Sequence, residues 1–247
     1  MMNQPILELL SSYPRQRPSL TEKHKEIYVQ EYQSNRAPNS ALGKAVAALE
    51  SWMHKKVAGF DGELLEVGAG TLNHLPYEDN PKAYDVVEPF HELYRTSPNI
   101  SLVRNFYDDI TEVPLEQLYD RIISVAVLEH LTNLPAVIAK SGVILRSGGS
   151  FEAGIPTEGG LLWGLGWRLT TGIAYRIRTG LDYGQLMRYE HINNAVEIID
   201  VVKHFFENVR IELFPVPLFH LSFYTKISAS EPRIKLCRDF LNLTGEI

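Results

Sequence analysis

The sequence predicts an α/β fold with a doubly wound, mostly parallel sheet of seven strands. The first observation is residues 64–71, LLEVGAGT, an apolar run that ends in a Gly-x-Gly turn, as buried parallel strands often do. The second is a series of further apolar stretches at 84–89, 100–103 and 121–127, each with polar residues at its C-terminal end. Helical connections between such strands favour a doubly wound sheet with a ligand at its topological switch point.

The residues after 150 complete the predicted sheet. Residues 151–156 form the expected fifth strand, 209–214 the sixth, and 218–228 a seventh that returns as the hairpin partner of the sixth. The predicted organisation is an N-terminal helical cap over 1–60, a sheet domain over 61–230 with an insertion at 157–190 after the fifth strand, and a C-terminal helix over 231–247.

Composition excludes several classes of protein. The 247 residues carry a formal net charge of −6, so a basic surface that binds nucleic acid is not expected. The single cysteine, Cys237, excludes an internal disulfide and a cysteine metal cluster, as is usual in a reducing compartment. The sequence has no run of about 18 apolar residues, so we expect no transmembrane segment and a cytoplasmic location. Composition leaves the oligomeric state open.

Residues at the strand ends indicate a ligand. Gly68 and Gly70 have no Cβ, so their backbone can pass close to a bound molecule. Glu88 closes the second strand 22 residues after Glu66, and a carboxylate at about this distance accepts the two hydroxyls of a ribose. Asp85 is the competing acid, but strand alternation turns its side chain to another face.

The segments LLEVGAG, YDVVEP, DDITEVP and YDRIISVAVLEHL, in this order, resemble the class I S-adenosylmethionine-dependent methyltransferases. The similarity is greatest to the small-molecule enzymes whose fourth strand ends in Leu-Glu-His, and it covers residues 61–154 well and the chain to about 228 more loosely. The resemblance implies a Rossmann-like fold, S-adenosyl-L-methionine as methyl donor and S-adenosyl-L-homocysteine as product. It also implies a small-molecule acceptor that is methylated at oxygen or nitrogen.

The resemblance assigns the cofactor contacts. Glu66 would orient the glycine loop and attract the ammonium group of the cofactor, unless it caps a helix N-terminus. Asp109 would accept from the adenine amine, with Asp108 as the register alternative, and the backbone N–H of Ile110 would meet the ring. The complete set implied for the cofactor is Glu66, Gly68, Ala69, Gly70, Glu88, Pro89, Asp109, Ile110 and Ala126.

The chain departs from the family pattern after Gly70. The usual third glycine is Leu72, and Pro76 follows closely, so the first helix is expected to be short or irregular. Dinucleotide-binding folds use the third glycine for close helix–strand packing, so Leu72, together with Pro89 directly after Glu88, disfavours a nicotinamide oxidoreductase. A non-catalytic Rossmann-like protein that binds a nucleoside or regulates a partner is the alternative function.

Two histidines are candidates for catalysis. His130 follows the fourth strand and His191 opens a later helix, and a histidine suits proton removal from an acceptor near neutral pH. We expect no metal, because Glu129 and His130 are only two neighbouring ligands. Ala126 stands where similar metal-dependent enzymes have a further acid.

The insertion at 157–190 is expected to select the acceptor, because it follows the fifth strand at the carboxyl edge of the sheet. Its aromatic residues and arginines suit a molecule with an apolar or sugar face and an anionic group. The candidate substrate contacts are Trp163, Arg176 and Arg178 of the insertion and Tyr28 and Tyr32 of the cap. The alternatives for the insertion are a core-packing elaboration, a dimer contact and a peripheral membrane contact.

Overall fold

The computed structural model describes residues 4–27, 50–59 and 62–246. Its strands are β1 (Glu63–Val67), β2 (Ala83–Val87), β3 (Asn105–Tyr107), β4 (Tyr119–Val125), β5 (Leu145–Pro156), β6 (Phe206–Pro215) and β7 (Ser222–Pro232). They form one sheet in the order β3-β2-β1-β4-β5-β7-β6. Strands β1 to β5 pair in parallel, and β7 pairs antiparallel with β5 and β6. The predicted doubly wound, mostly parallel sheet and its terminal hairpin are confirmed.

Helices flank this sheet and form the insertion. Residues 22–27 and 50–57 of the described chain belong to α2 and α3. The others are α1 (Gln4–Ser11), α4 (Leu134–Val143), α5 (Leu161–Trp167), α6 (Ile173–Thr179), α7 (Tyr183–Glu190), α8 (Ala195–Phe205) and α9 (Ile234–Thr244). A π-helical turn, Arg168–Gly172, joins α5 to α6. Among the described helices, none has the length and the apolar character needed to cross a bilayer.

Each central strand divides its side chains between two cores. Leu64 of β1 and Ile123 of β4 pack with Met53 of α3 on one face of the sheet. Leu65 and Ile122, their neighbours in sequence, pack on the opposite face with residues of α4, α8 and α9. Successive residues of a strand point to opposite faces, so both faces of a covered sheet must be apolar. This requirement explains the continuous apolar runs that identify β1 and β4 in the sequence.

The third strand is not where the sequence predicted it. The apolar stretch at 100–103 forms a 3-10 turn, Ile100–Leu102, and the strand is the later segment Asn105–Tyr107. This strand lies at the edge of the sheet, and its residues are partly buried or exposed. An edge strand does not need apolar side chains on both faces, so the search for an apolar run gave the wrong segment.

The region after the glycine turn has the irregular form expected from its sequence. A 3-10 turn, Leu75–Tyr77, stands in place of a regular first helix and has Pro76 in its first positions. Leu72 has a φ of +62° and its side chain is fully buried. The backbone therefore keeps the left-handed conformation that favours glycine, although the residue is leucine.

We expect Leu72→Gly to destabilise the protein despite relieving this conformation. Relief of the left-handed backbone gains about 1–2 kcal/mol, but loss of a fully buried leucine side chain costs about 3–5 kcal/mol. Urea unfolding should show a net loss of a few kcal/mol. Asn80→Gly is the matched control, because Asn80 has a φ of +53° and is exposed. Equal stability changes in the two variants would contradict this account.

The insertion packs through one face and leaves an apolar stripe on another. Tyr175 of α6 and Leu186 of α7 are buried with Leu20 in a small separate core. Along α5, the π turn and α6, exposed apolar residues follow at four-residue spacing: Leu161, Leu165, Leu169, Ile173 and Ile177. Part of the insertion is therefore a packing elaboration, and the dimer or membrane contact that the sequence left open as an alternative would use this stripe.

Candidate active site

Parallel strands bring their carboxyl ends to one edge of the sheet, where backbone hydrogen bonds hold the following loops side by side. The N–H of Gly68, directly after β1, donates to the carbonyl of Val87 at 2.8 Å. The N–H of Glu88, directly after β2, donates to the carbonyl of Tyr107 at 2.9 Å. The predicted cofactor residues that follow β1, β2 and β3 are therefore neighbours in space.

The two glycines of the turn have different surroundings. Gly68 has a φ of +78°, and a Cβ placed there would lie 2.3 Å from Cγ2 of Val127. Gly70 has a φ of +51°, and no atom of the described residues lies within 4 Å of a Cβ placed there. The sequence predicted that both glycines leave space for a ligand beside the loop. Among the described residues this holds for Gly70, whereas at Gly68 the space is occupied by the side chain of Val127.

Glu88 ties the glycine loop to the end of β2. Its Oε2 accepts from the Gly70 N–H at 2.8 Å and its Oε1 accepts from the Phe90 N–H at 3.0 Å. Each carboxylate oxygen can accept a second hydrogen bond, which leaves capacity for two hydroxyl donors. Asp85, the competing acid, is instead buried and receives two hydrogen bonds from the guanidinium of Arg104.

The predicted adenine contacts follow β3. Oδ1 of Asp109 accepts from the N–H and the hydroxyl of Thr111, at 2.8 and 2.7 Å, and so caps a short 3-10 turn. The side chain of Ile110 is buried in the core. The register alternative, Asp108, forms an exposed pair with Nε2 of His91 at 2.5 Å. Both acids lie at the carboxyl edge, and Asp109 is the one whose side chain shapes the loop.

Glu66 is a buried carboxylate beneath the glycine loop. The hydroxyl of Tyr84 donates to its Oε2 at 2.5 Å, so its recorded partner is a side chain rather than a helix terminus. Burial raises the pKa of Glu66 to about 7, although the nearby His74 acts in the opposite direction. Near neutral pH this group is therefore divided between its neutral and charged forms.

We expect Glu66→Gln to change how stability depends on pH. In the wild type the carboxyl of the unfolded chain loses its proton near pH 4.5 and that of the folded chain near pH 7, so the free energy of unfolding falls as pH rises between these values. At about 1.4 kcal/mol per pKa unit the loss is of the order of 3 kcal/mol. The variant lacks this loss. Urea unfolding should therefore show that its stability, relative to the wild type, is greater at about pH 8 than at about pH 5. The exposed control Glu92→Gln should follow the wild type, and parallel curves for Glu66→Gln would contradict the assignment.

Three further predicted cofactor residues border the same edge. Ala69 is buried in the core on the α3 side of the sheet, and Pro89 is exposed beside Glu88. Ala126, directly after β4, has a left-handed φ of +55°, and its N–H donates to the carbonyl of Gly154 at 2.8 Å. A residue with a side chain rarely adopts this conformation, so the turn that leaves β4 is sharply defined.

The two histidines predicted from the sequence lie together with Glu129. The rings of His130 and His191 meet edge to face with centroids 4.8 Å apart, and Nε2 of His130 lies 3.8 Å from Oε1 of Glu129. Nδ1 of His130 donates to the backbone carbonyl of Glu190 at 2.8 Å, and Nδ1 of His191 donates to Oε2 of Glu158 at 2.5 Å. These bonds fix the tautomers and leave the Nε2 lone pair of each neutral ring available.

Burial and neighbouring carboxylates favour the protonated forms of this cluster. Burial alone lowers the pKa of His191, but its hydrogen bond with Glu158 and the charges of Glu129 and Glu158 outweigh burial and raise it. Burial raises the pKa of Glu129. Oε2 of Glu129 has no hydrogen-bond partner in the described part of the chain, and a buried unpaired carboxylate oxygen is costly.

An N-terminal strap, residues 13–17, holds the backbone of this cluster. Arg17 donates to the carbonyls of Tyr189 at 2.7 Å and His130 at 2.9 Å. Arg15 donates to the carbonyl of Ile192 and is paired with Glu197 in α8. The strap was not predicted from the sequence, because two arginines between prolines carry no signal of partners more than 100 residues away.

The predicted substrate contacts separate into three groups. Trp163 of α5 joins the cluster, with its ring stacked 6.3 Å from that of His191, and its buried Nε1 has no partner among the described residues. Arg176 and Arg178 are exposed on α6, and the guanidinium of Arg178 lies over the ring of Tyr175 of its own helix. Tyr28 and Tyr32 lie outside the described residues.

Solved structures share this architecture at low sequence identity. No protein-family model matches the chain, and no curated protein matches it. A possible histamine N-methyltransferase from Thermotoga maritima is 19% identical with a TM-score of 0.55, over 83% of this chain and 97% of that one. The N-methyltransferase NodS from Bradyrhizobium japonicum, in complex with S-adenosyl-L-homocysteine, is 14% identical with a TM-score of 0.51, over 85% and 100%. The DhpI–SAH complex is 16% identical with a TM-score of 0.50, over 92% and 98%. The chain therefore has the fold of the class I S-adenosylmethionine-dependent methyltransferases.

Proposed function

We propose that the protein is an S-adenosylmethionine-dependent methyltransferase that acts on an oxygen or nitrogen of a small-molecule acceptor. The observation that carries this proposal is that two groups of residues lie at the same edge of the sheet. The glycine loop with Glu88 forms the proposed cofactor half of the site, and Glu129, His130 and His191 form the proposed acceptor half. Methyl transfer requires a site that binds the donor next to a group that can take a proton from the acceptor.

The cofactor half fits a nucleoside with a charged amino-acid tail. The open side of Gly70 supports close approach of the ligand to the loop. The carboxylate of Glu88 supports ribose recognition, because its oxygens keep acceptor capacity beyond their backbone partners. Asp109 and the Ile110 N–H would contact adenine, and Glu66 would attract the ammonium group. Two similar structures, NodS and DhpI, are complexes with S-adenosyl-L-homocysteine.

S-adenosylmethionine, when bound, supplies a methyl group that its sulfonium already activates. The protein would contribute the position of the acceptor and the removal of its proton. The Nε2 lone pair of His130 is oriented for that removal by the hydrogen bond from Nδ1 to Glu190. The buried carboxylate of Glu129, 3.8 Å from that nitrogen, would stabilise the positive charge that the imidazole gains.

Amines are the first acceptors to test. The carboxylates of Glu129, Glu158 and Glu190 surround the two imidazoles, which supports binding of a group that carries positive charge. Two of the similar structures are named for nitrogen methylation. Trp163 and Tyr224, with ring centroids 6.0 Å apart, would provide an apolar wall for the rest of the molecule.

The test combines binding with an acceptor screen. Calorimetric titration should show that S-adenosylmethionine and S-adenosylhomocysteine bind and that NAD does not. Incubation with pools of amines and alcohols, followed by mass spectrometry, should reveal a product that gains one CH₂. Binding without any methylated product across both pools would favour the non-catalytic nucleoside-binding alternative, and absence of binding would refute both.

We expect Glu88→Gln to weaken S-adenosylhomocysteine binding by about 10- to 100-fold, because hydrogen bonds to a charged group contribute about 1.5–3 kcal/mol. Glu92→Gln is the control, since Glu92 is exposed and paired with Arg95. A 2′-deoxy analogue of S-adenosylhomocysteine distinguishes two roles of Glu88, direct contact with the ribose and positioning of the glycine loop. The wild type should bind the analogue more weakly than the parent, whereas Glu88→Gln should bind the two equally. An equal preference for the parent compound in both proteins would refute the ribose contact.

A further inference from the structure

The cluster at the end of β4 contains the donor set of a metal centre. One ligand atom from each of Glu129, His130 and His191 lies within 4.8 Å of the others. Two imidazole nitrogens and one carboxylate oxygen form a set that binds Zn²⁺ and other divalent first-row ions with coordination positions left open. Only two adjacent ligands, Glu129 and His130, are evident from the sequence, and the fold supplies the third, His191, from the junction of α7 and α8.

Both histidines are oriented as metal-bound histidines are. Metal-ligating histidine usually donates its other ring N–H to a carboxylate or a backbone carbonyl. Here Nδ1 of His130 donates to the Glu190 carbonyl and Nδ1 of His191 donates to the Glu158 carboxylate, at 2.8 and 2.5 Å. Each bond fixes the tautomer in which Nε2 carries the free lone pair.

The side chain of Glu129 is buried, and one of its two carboxylate oxygens lacks a hydrogen-bond partner among the described residues. Side-chain exposure of Glu129 is 2%, and its Oε2 has no hydrogen-bond partner among the described residues. Its backbone carbonyl accepts from the N–H groups of Ile192 and Asn193, at 2.9 and 3.1 Å, which holds the residue against the segment that carries His191. A buried oxygen of this kind is stabilised by a cation and is costly without one.

We propose that Glu129, His130 and His191 bind a divalent first-row transition ion, with open coordination positions directed toward the acceptor. Ligands around an ion with bonds of about 2.1 Å lie about 3.0–3.4 Å apart, so donor atoms that are now up to 4.8 Å apart would close by up to about 1.4–1.8 Å on binding. His130 is 30% exposed, which gives its ring room to rotate. An ion here would lower the pKa of a hydroxyl or amine that it coordinates. This catalytic role of the ion rests on the proposed function, whereas the binding of the ion does not depend on it.

Calorimetric titration of the tag-free, chelator-treated protein with Zn²⁺ and with Mn²⁺ tests the proposal. We expect one ion per chain. Glu129→Gln and His191→Ala should each weaken binding by about tenfold or more, and Glu158→Gln by about 10- to 100-fold through loss of the orienting partner. His204→Ala, at the far end of α8, is the control and should bind as the wild type does. Circular dichroism of the chelated proteins checks that each variant is folded.

Two outcomes would overturn the proposal: no ion binds to the wild type, or Glu129→Gln binds as tightly as His204→Ala. The same samples are titrated with S-adenosylhomocysteine, whose proposed contacts lie in the cofactor half. Ion binding without cofactor binding would support the metal centre and refute the proposed function. Cofactor binding without ion binding would refute the metal centre and leave the proposed function supported.

Discussion

Gly70→Val is expected to raise the dissociation constant of S-adenosylmethionine by at least about 100-fold, or about 2.8 kcal/mol. The valine side chain would occupy the side of the loop where a Cβ meets no atom of the described residues within 4 Å, the space proposed for the ligand. The variant should fold, because no side chain of the described core packs on that side of the loop. A β-branched residue at a φ of +51° also strains the loop, and this strain must be measured separately.

Gly148→Val supplies that measurement. Gly148 also has a left-handed φ, +82°, with open space around its Cβ, but it lies near the amino end of β5, at the opposite edge of the sheet. Both variants should lose a similar amount of unfolding free energy, about 1–2 kcal/mol. Calorimetry should show weakened cofactor binding for Gly70→Val and unchanged binding for Gly148→Val. Similar affinities in the two variants would place the ligand elsewhere.

His130→Ala is expected to slow methyl transfer to the acceptor found by screening by about 10²–10⁴-fold. Alanine removes the Nε2 lone pair, and the loss follows whether that lone pair takes the proton or holds the proposed ion. The dissociation constant of S-adenosylmethionine should stay within about twofold of the wild type, because the main proposed cofactor contacts, the glycine loop and Glu88, lie on other loops. Single-turnover rates with saturating cofactor measure the effect on transfer alone.

His204→Ala is the matched control for the loss of a partly buried histidine, and it should transfer at the wild-type rate. Chelator separates the two uses of His130. If the imidazole takes the proton directly, chelated wild type keeps its rate, and if it holds an ion, chelation reproduces the loss seen in the alanine variant. A rate for His130→Ala within about threefold of the wild type would remove His130 from the mechanism.

The strand ends that carry the proposed cofactor contacts could be located from the sequence because their signals are local. β1, the glycine turn and Glu88 lie within 26 residues of one another, and apolar runs with an acid at the strand end reflect the requirements of buried parallel strands. The different surroundings of Gly68 and Gly70 could not be predicted from the sequence, because they depend on where Val127 packs. Leu72 shows the same limit, since its left-handed backbone is maintained by burial and not by residue type.

The acceptor half was predicted only as separate residues. His130 and His191 were each singled out, but their approach to one another and to Glu129 depends on the fold of the insertion that separates them. Their orienting partners, Glu158 and the Glu190 carbonyl, had no signature in the sequence. The strap was missed for the same reason, because hydrogen bonds from guanidinium groups to distant carbonyls leave no periodicity or motif.

The strap also joins distant parts of the chain. The bonds from Tyr13 to Asn193, Arg15 to Ile192 and Arg17 to Tyr189 span 180, 177 and 172 residues. None can form until most of the chain has left the ribosome, whereas the pairing of β1 with β2 and of β2 with β3 joins residues of the first half only. Attachment of the strap to the backbone around His130 and His191 is therefore a late step in synthesis.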